Sequence, residues 1–426
     1  MTSSTQPDTP AWLSHLEARL CSPRRIRAQA ILLALCFWSV CAVDFATPGL
    51  FDRAGNIKFQ DFLPFYISAR LVAQNHAGDL YNQQVTGDEM QRVVQASNDR
   101  QAVRVSLPNL YGPQVALMFA PLSRFSFPTA ALAWTSLSLM VYAGCIYLVW
   151  KSCLALRPYS ALVAISALAF PPLFHFFVRG QISVVPLACF TAAYLAFRAQ
   201  NHWLAGIALG FLVLKPQFLI AIPLILLLSK SWRAFAGLVL SAATQLILTA
   251  IHFGPAVMHA YFDTLWHTSR WITAAELSLA PIQMHSLRSF WTLLIPWPAA
   301  AFALYAMSSC IVVAIAAAIW RSSHPLALRF SALTLAAVLV NPHLFVYDLL
   351  VITPALLLLA DWALANPPSA RIRLLAYLAF ILPLLGPLSR WTHLQLSVPI
   401  FFVLLWTLRP TETAGHKLDS NECRVV

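Results

Sequence analysis

The stretch "GFLVLKPQFLIAIP", residues 210–223, places Lys215 and Pro216 inside an apolar run that extends from Leu204 to Ser229. A run of this length and composition is typical of a membrane-embedded segment. Inserting a lysine at bilayer depth costs a free energy of roughly 2.5–3.5 kcal/mol even on the lenient insertion scales, so its presence requires an explanation. Because a proline can break a membrane helix, the run is either one kinked span or a hairpin that turns at Lys215–Pro216.

The whole chain has the composition of a membrane protein. Its 426 residues are 59% hydrophobic and only 10% charged, whereas soluble domains are about 25% charged. The basic residues behind the net charge of +12 stand mostly in short connections between apolar runs. That is the positive-inside pattern rather than a nucleic-acid-binding surface, so no nucleic-acid partner is expected. No Cys or His spacing predicts a metal site.

The apolar runs predict an all-α polytopic membrane protein with about 12 transmembrane helices. Basic residues near Arg24 put the N-terminal segment 1–27 in the cytoplasm, and the first helix, roughly residues 28–45, leads outward. The membrane domain covers 28–408, and the tail 409–426 is expected in the cytoplasm. The later predicted spans are 112–125, 128–150, 158–174, 182–198, 203–229, 232–253, 297–320, 326–340, 344–361, 373–388 and 396–408.

Two interpretations of 203–229 stay open at this stage. One span leaves Lys151, Arg157 and Arg198 on the outer side, against the positive-inside pattern. A hairpin returns these residues to the cytoplasmic side, but another short segment must then be re-entrant as well.

Residues 46–111 form the one long polar loop of the first half, on the predicted outer side. In it, "DFLPFYISARLVAQNHAGDLY" (61–81) carries a helical apolar stripe but is too polar to span. We therefore predict an amphipathic helix that lies on the membrane surface. A second helix is predicted where Thr86 and Glu89 match a capping box. Polar and aromatic stretches of later loops gather on the same side, which favours an active site at the outer face.

Asp61 opens the predicted amphipathic helix and has two interpretations. Asp before a helix with Pro64 in its first turn is typical of an N-cap. Alternatively, it is a general base whose basicity rises through partial burial at the membrane boundary. Lys215 likewise is either a lysine that snorkels to an interface or a cation for a phosphate near the membrane surface.

"NPHLFVYDLL" (341–350) supplies a further polar cluster. His343 and Tyr347 are four residues apart, which predicts that they lie one above the other on a helical face. Asp348 is deeper in the apolar run and requires a partner, for which Lys215 or an arginine is expected. A lone histidine at such a position is more often an interfacial residue than a catalyst.

Two other stretches are weak evidence when each is taken alone. "FFVRGQISVVP" (176–186) offers Arg179, which can bind phosphate in a bidentate manner, and Gln181 beyond a flexible glycine. "PIQMHSLRSFW" (281–291) offers polar residues in the late outer loop: Gln283, His285, Ser286 and Arg288. Because the motifs of nucleotide-binding and hydrolase sites are missing from the sequence, a sugar transferase of this build would use a lipid-linked donor.

The order of these motifs resembles glycosyltransferase family 87. The segments that carry the resemblance lie between Ile57 and Leu359 and are "DFLPFYISARLVAQNHAGDLYN", "YGPQVALMFAPLSRF", "PPLFHFFVRGQISVVPL", "LAGIALGFLVLKPQFLI" and "NPHLFVYDLLVITPALLLL". The family comprises polyprenol-phosphate-mannose-dependent α-(1→2)-mannosyltransferase-like proteins. The resemblance implies a fold of the GT-C superfamily type.

The resemblance implies that Asp61 is the catalytic base, which activates an acceptor hydroxyl for inverting attack on a polyprenyl-phosphate sugar. Lys215, in the Lys-Pro motif, would be the leading cation for the departing phosphate, and Gln181 would bind sugar hydroxyls. The donor sugar would be mannose or another hexose or pentose, and the acceptor a lipid or glycan. The full set of expected substrate-binding residues is Lys215, Gln181, Arg179, His343, Asp348, His285, Arg288 and Tyr66.

The expected location is the bacterial inner (plasma) membrane, with the active site facing the periplasm. No cofactor is expected, and assistance by a divalent cation stays open. Ser183 stands where the family often has Asn, and "MHSLRS" replaces an Asn-x-Ser pattern, so the sugar and the acceptor also stay open. A transporter or lipid flippase is one alternative, although the single Lys-Pro interruption has no counterpart in a second half. A scaffold subunit is another, and the presence of Asp61 and Lys215 argues against it.

Overall fold

The computed structural model describes residues 11–96, 107–279, 283–367 and 369–410. Within these ranges the chain is helical. It has two isolated β-bridges, Phe51–Ile57 and Met284–Phe345, but no β-strand. The predicted all-α class is therefore confirmed for this part of the chain. Most of the predicted cytoplasmic tail, the first residues of the N-terminal segment and part of the outer loop lie outside the described residues.

Twenty α-helices follow one another within the described ranges. The first ten are α1 Ala11–Leu20, α2 Pro23–Ala46, α3 Leu63–Ala73, α4 Gln83–Gln95, α5 Pro113–Phe119, α6 Phe127–Trp150, α7 Ser160–Leu168, α8 Pro171–Arg179, α9 Val184–Arg198 and α10 His202–Gly210. The other ten are α11 Ala221–Leu228, α12 Trp232–Phe253, α13 Pro255–Leu279, α14 Leu287–Leu294, α15 Pro298–Arg321, α16 Leu326–Val340, α17 Thr353–Ala365, α18 Ala370–Ile381, α19 Ser389–Thr392 and α20 Ser397–Thr407.

Several 3₁₀ helices connect or extend these elements. They are Gln60–Phe62, Ala77–Asp79, Ala120–Arg124, Arg157–Tyr159, Phe211–Leu214, Pro216–Leu219, Val346–Ile352 and Leu382–Leu388. Four of these eight contain a proline, which removes a backbone donor and interrupts regular α-helix.

Six helical segments of the described chain are long and apolar enough to cross a membrane, and the bent pair Arg157–Leu168 and Pro171–Arg179 brings the number to 7 if it counts as one span. The predicted number of about 12 spans is not confirmed. Several apolar runs form helices of only 10–17 residues, such as Leu326–Val340. A helix of 15 residues is about 22 Å long, which is short of the roughly 30 Å hydrocarbon core.

The segment 112–125, which we predicted as a span, does not cross a membrane. It forms the short helix α5 and the 3₁₀ helix Ala120–Arg124, and both pack against α3. Pro113 and Pro121 divide the run into pieces that are too short to span.

The stretch around Lys215 folds as a re-entrant hairpin. Its first arm, His202–Leu214, and its second arm, Pro216–Leu228, meet at Lys215, whose extended backbone (φ −138°, ψ 73°) separates them. A residue before proline avoids the α conformation, which explains the break. His202 and Ser229, at the two ends of the hairpin, line the same cavity, so the chain enters and leaves at one face. The hairpin alternative is confirmed, and a single kinked span is wrong.

Glycines allow the first arm of the hairpin to approach α12 at backbone distance. A Cβ atom at Gly206 would lie 2.1 Å from the Ala234 carbonyl oxygen, and one at Gly237 would lie 2.6 Å from the Trp203 carbonyl oxygen. Small residues serve the same purpose in many membrane helix pairs. This contact fixes the arm so that Lys215, at the tip, lies inside the protein.

The predicted outer-loop helices exist, but two details of the prediction are wrong. Every residue from Leu63 to Ala69 in α3 is buried, so the helix is covered by protein on all sides rather than lying on a membrane surface. The second helix, α4, begins at Gln83 with Asn82 as its N-cap, not at a capping box built on Thr86. Thr86 lies one turn inside the helix, where its hydroxyl donates to the Asn82 carbonyl at 3.0 Å.

Candidate functional site

Asp61 lies in the 3₁₀ helix Gln60–Phe62, directly before α3. The N-cap interpretation is wrong, because Phe62 occupies the cap position of α3 and no side chain caps the helix. The Asp61 Oδ2 atom instead accepts a hydrogen bond from Gln181 Nε2 at 2.9 Å, and Arg179 Nη1 lies 3.4 Å from Oδ1. The Asp61 side chain is 15% exposed, so the carboxylate is held in place and still open to a substrate.

Two turns with a left-handed backbone bring these residues together. Phe59 adopts a left-handed backbone conformation (φ 56°), and its N–H donates to the Val178 carbonyl at 3.2 Å. Gly180 ends α8 with φ 69°, and a Cβ atom there would lie 3.0 Å from the Phe62 Cβ atom. Only glycine fits this position without strain, and the turn it makes directs both Arg179 and Gln181 toward Asp61. The left-handed conformation of Phe59 carries backbone strain, and such strain clusters at functional sites.

Gln181 makes the largest number of polar contacts described at the site. Besides Asp61, its Nε2 atom contacts the Tyr347 hydroxyl at 3.2 Å, and its Oε1 atom accepts a hydrogen bond from the Tyr111 hydroxyl at 3.4 Å. Its backbone carbonyl accepts from Trp134 Nε1 at 3.2 Å. These contacts fix the orientation of a buried amide. Sequence reasoning missed Tyr111 and Trp134, although Tyr111 begins the quoted "YGPQVAL" segment.

Lys215 and Asp348 form a buried ion pair, and each side chain is only 1% exposed. Asp348 was expected to pair with Lys215 or an arginine, and the structure confirms Lys215. Ser183 Oγ donates to Asp348 Oδ1 at 2.6 Å, and Lys215 Nζ donates to Ser183 Oγ at 3.2 Å. The Phe345 N–H donates to Asp348 Oδ2 at 3.3 Å. A buried pair is tolerated when further hydrogen bonds of this kind satisfy its atoms.

Tyr347 connects the ion pair to Asp61. Lys215 Nζ lies 5.4 Å from the centre of the Tyr347 ring, and the hydroxyl of that ring contacts Gln181. We call the six residues that are joined in this way the polar column: Asp61, Gln181, Tyr347, Lys215, Asp348 and Ser183. The Lys215 ammonium therefore belongs to the same connected group as Asp61 but is separated from it by two side chains.

His343 lies next to the polar column, but not in the predicted manner. The 3₁₀ helix begins at Val346, so His343 and Tyr347 do not share a helical face. The His343 ring packs edge-on against Phe345 at 5.0 Å, and Phe345 stacks on Tyr347 at 5.3 Å. The aromatic stack, rather than helical spacing, brings His343 to the site.

Three other predicted site residues have separate surroundings. His285 is fully buried beside Ser397 Oγ at 2.7 Å, and burial lowers the pKa of His285 to about 3. The Tyr66 hydroxyl donates to the Phe125 carbonyl at 2.8 Å, and burial raises the pKa of Tyr66. Burial also lowers the pKa of Arg288. The hydrogen bonds of the described chain do not join His285, Tyr66 or Arg288 to Asp61 or Gln181.

A cavity of 310 Å³ lies beside Arg179. The Arg179 side chain is 29% exposed and stands between this cavity and Asp61. The rest of the lining combines apolar side chains with charged and polar ones, which include Asp44, Lys58, Gln60, His175 and Gln283. The arrangement can place a polar ligand against a cation and near a carboxylate. Within the described ranges, no group of three or more His, Cys, Asp or Glu side chains could hold a metal ion.

Comparison with known families assigns the chain. The sequence model of glycosyltransferase family 87 matches residues 109–342, which is more than half of the 426-residue chain. The match includes Arg179, Gln181 and Lys215, whereas Asp61 and Asp348 lie outside it. Comparison with curated proteins and with solved structures gave no match. Together with the long apolar helices, the family match confirms the resemblance seen in the motifs: the chain is a membrane glycosyltransferase and belongs to glycosyltransferase family 87.

Proposed function

We propose that this enzyme transfers a sugar, mannose or another hexose or pentose, from a polyprenyl-phosphate donor to a lipid or glycan acceptor. The reaction takes place at the outer (periplasmic) face of the bacterial inner membrane, within a GT-C-type fold. The observation that carries the proposal is Asp61, a partly exposed carboxylate held by Gln181 and by Arg179, whose side chain also lines a 310 Å³ cavity. The family match disfavours the transporter and flippase alternative.

Asp61 acts as the general base of an inverting transfer. Its carboxylate takes the proton from the acceptor hydroxyl, and the acceptor oxygen forms a bond to the anomeric carbon. The bond from that carbon to the phosphate oxygen breaks on the opposite side, and a lipid phosphate leaves. The hydrogen bond from Gln181 to Oδ2 fixes the carboxylate plane, so that Oδ1 is the atom that receives the proton.

Arg179 stabilises the charge that develops on the departing phosphate. It is the cation of the site that is 29% exposed, whereas Lys215 is 1% exposed and already paired with Asp348. A phosphate would reach Lys215 only by displacing Asp348, which would leave a carboxylate buried without a partner. We therefore assign Lys215 a positioning role, in which it holds Asp348, Ser183 and the Tyr347 ring. The donor-binding roles of His343, His285, Arg288, Asp348 and Tyr66 stay predictions.

Asp61→Asn tests the proposal in membranes supplied with polyprenyl-phosphate sugar. Loss of a general base lowers the rate by about 10²–10⁴-fold, so we expect sugar transfer to fall by that factor at unchanged expression. Asp88→Asn is the matched control, because Asp88 is an exposed carboxylate on α4 of the same loop. Sugar transfer by Asp61→Asn at the rate of Asp88→Asn would exclude Asp61 as the base.

A further inference from the structure

A second cavity, also of 310 Å³ and with a mainly polar lining, lies where the two ends of the re-entrant hairpin meet α15 and α16. We infer that it binds the phosphate group of an anionic ligand at the face opposite the active site, a function separate from sugar transfer. The same chemistry is offered by a phospholipid headgroup and by free phosphate. Its polar lining consists of Gln200, His202, Ser229, Ser231, Arg321 and Arg329, beside Trp320.

The charge of this cavity is positive, and its lining contains no acidic residue. The helices around it, α9 to α12, α15 and α16, contain no Asp or Glu. Neither Arg321 nor Arg329 has an acidic partner within salt-bridge distance among the described residues. Two arginines that share a cavity without a counter-charge favour an anion between them, and the guanidinium fork matches the geometry of phosphate.

One donor in the cavity lacks a partner. Arg329 Nε is buried and has no hydrogen bond within the described structure, and the cost of burying an unpaired donor is recovered when a ligand accepts from it. The walls around it are ordered by other contacts. The Arg329 guanidinium lies 5.9 Å from the Trp320 ring centre, and Trp320 Nε1 donates to Ser231 Oγ at 2.9 Å.

The position of the cavity favours a headgroup from the lipid bilayer. Trp203 and Trp232 directly follow the lining residues His202 and Ser231 in the sequence. They are 47% and 58% exposed, as is typical of tryptophans at a membrane–water interface. Along α16, the 11 residues from Arg329 to Val340 correspond to about 17 Å, so the cavity is well separated from the polar column. The basic connections nearby are those that the positive-inside pattern places in the cytoplasm, where anionic lipids meet basic pockets between helices.

Native mass spectrometry of the full-length protein in detergent tests this inference. The probes are phosphatidylglycerol, phosphatidylcholine with the same acyl chains, and inorganic phosphate. We expect selective binding of phosphatidylglycerol, weakened about tenfold by Arg321→Gln or by Arg329→Gln, because each removes a charge-assisted hydrogen bond. Arg233→Gln is the matched control, since Arg233 is an exposed arginine of the neighbouring connection that does not line the cavity.

The source of the phosphate is read from the same experiment. Binding of phosphatidylglycerol that inorganic phosphate does not replace indicates a lipid headgroup, and binding of inorganic phosphate alone indicates a free anion. Equal binding of phosphatidylcholine, or equal losses for Arg233→Gln and Arg321→Gln, would overturn the inference. Arg321 is exposed, so its variant tests binding without disturbing the fold. Asp61→Asn should bind phosphatidylglycerol like the unaltered protein, which separates this site from the proposed catalytic role.

Discussion

The Lys215 ammonium is a charge at bilayer depth, and Asp348 balances it within the protein. The two side chains form a fully buried ion pair, with Ser183 bonded to both. Such a pair contributes little net stability, but the loss of one member leaves an uncompensated charge. The pair therefore fixes the position of the hairpin tip, next to the residues that hold Asp61.

Lys215→Met should lower the free energy of unfolding by about 3–5 kcal/mol, because Asp348 would stay buried without its counter-charge. The double variant Lys215→Met/Asp348→Leu should regain much of this loss, since no charge is then left inside. Chemical unfolding in one detergent, followed by tryptophan fluorescence, measures both effects. The control is Arg53→Met, which removes a partner from the more exposed Arg53–Asp44 pair and should cost less than about 1 kcal/mol. Equal losses for Lys215→Met and Arg53→Met would contradict the prediction.

At the scale of elements, the hairpin depends on the contact of its first arm with α12. The arm ends before Lys215 and contains few regular helical turns, so its helix propensity alone cannot stabilise it. Gly206, Gly210 and Gly237 let the two backbones approach until an added Cβ atom would collide with backbone or side-chain atoms. Close packing without side chains replaces the hydrophobic driving force that is absent within a bilayer.

Gly206→Ala should destabilise the protein by about 1–3 kcal/mol, because the added methyl group would overlap the Ala234 carbonyl. It should also lower sugar transfer, since the displaced arm carries Lys215. Gly144→Ala is the control: Gly144 lies within α6, and an added Cβ atom there meets nothing within 4 Å. That variant should be neutral or stabilising by up to about 1 kcal/mol, because Ala favours helix. Equal thermal stability of the two variants would show that the close contact is not needed.

At the scale of the whole molecule, the hairpin places the basic connections on one side of the protein, which agrees with the positive-inside rule. Arg198 Nη1 contacts Ser152 Oγ at 2.5 Å, so the connection after α6 and the start of the hairpin lie at one face. Ser231 and Trp320 join the end of the hairpin to the end of α15 at that same face. The basic residues of these connections thus gather on one side, away from Asp61, as the positive-inside rule requires.

Cysteine labelling can test this topology in intact cells. Gln200 and Lys230 are exposed residues at the two ends of the hairpin, and Gln200→Cys and Lys230→Cys should both be inaccessible to an impermeant maleimide added from outside. Asp88→Cys, on the loop that we predict to be outside, should be labelled from outside. Each variant is made in a background whose native cysteines are replaced by alanine. Labelling of only one of the two hairpin ends would contradict the re-entrant structure.

The membrane class, the helical architecture and the family follow from the sequence alone. Apolar composition, basic connections and ordered motifs are local properties, and they do not depend on how the chain is packed. The same local evidence singled out Asp61, Gln181, Lys215 and Asp348, because polar residues inside or beside apolar runs require partners or a function. It also predicted that Asp348 would pair with Lys215 or an arginine.

Only the tertiary structure decided which of these residues meet. The sequence shows how many apolar runs the chain has but not which of them turn back. The predicted number of about 12 spans is therefore not confirmed, and the topology of 203–229 stayed open until the structure was known. The sequence left Asp61 as either a helix cap or a base, and the structure places Gln181 against it instead of a helix end. The sequence left the partner of Asp348 as Lys215 or an arginine, and the structure shows Lys215. Hydrogen bonds between residues more than 100 positions apart create these contacts, and such contacts leave no periodic pattern along the chain.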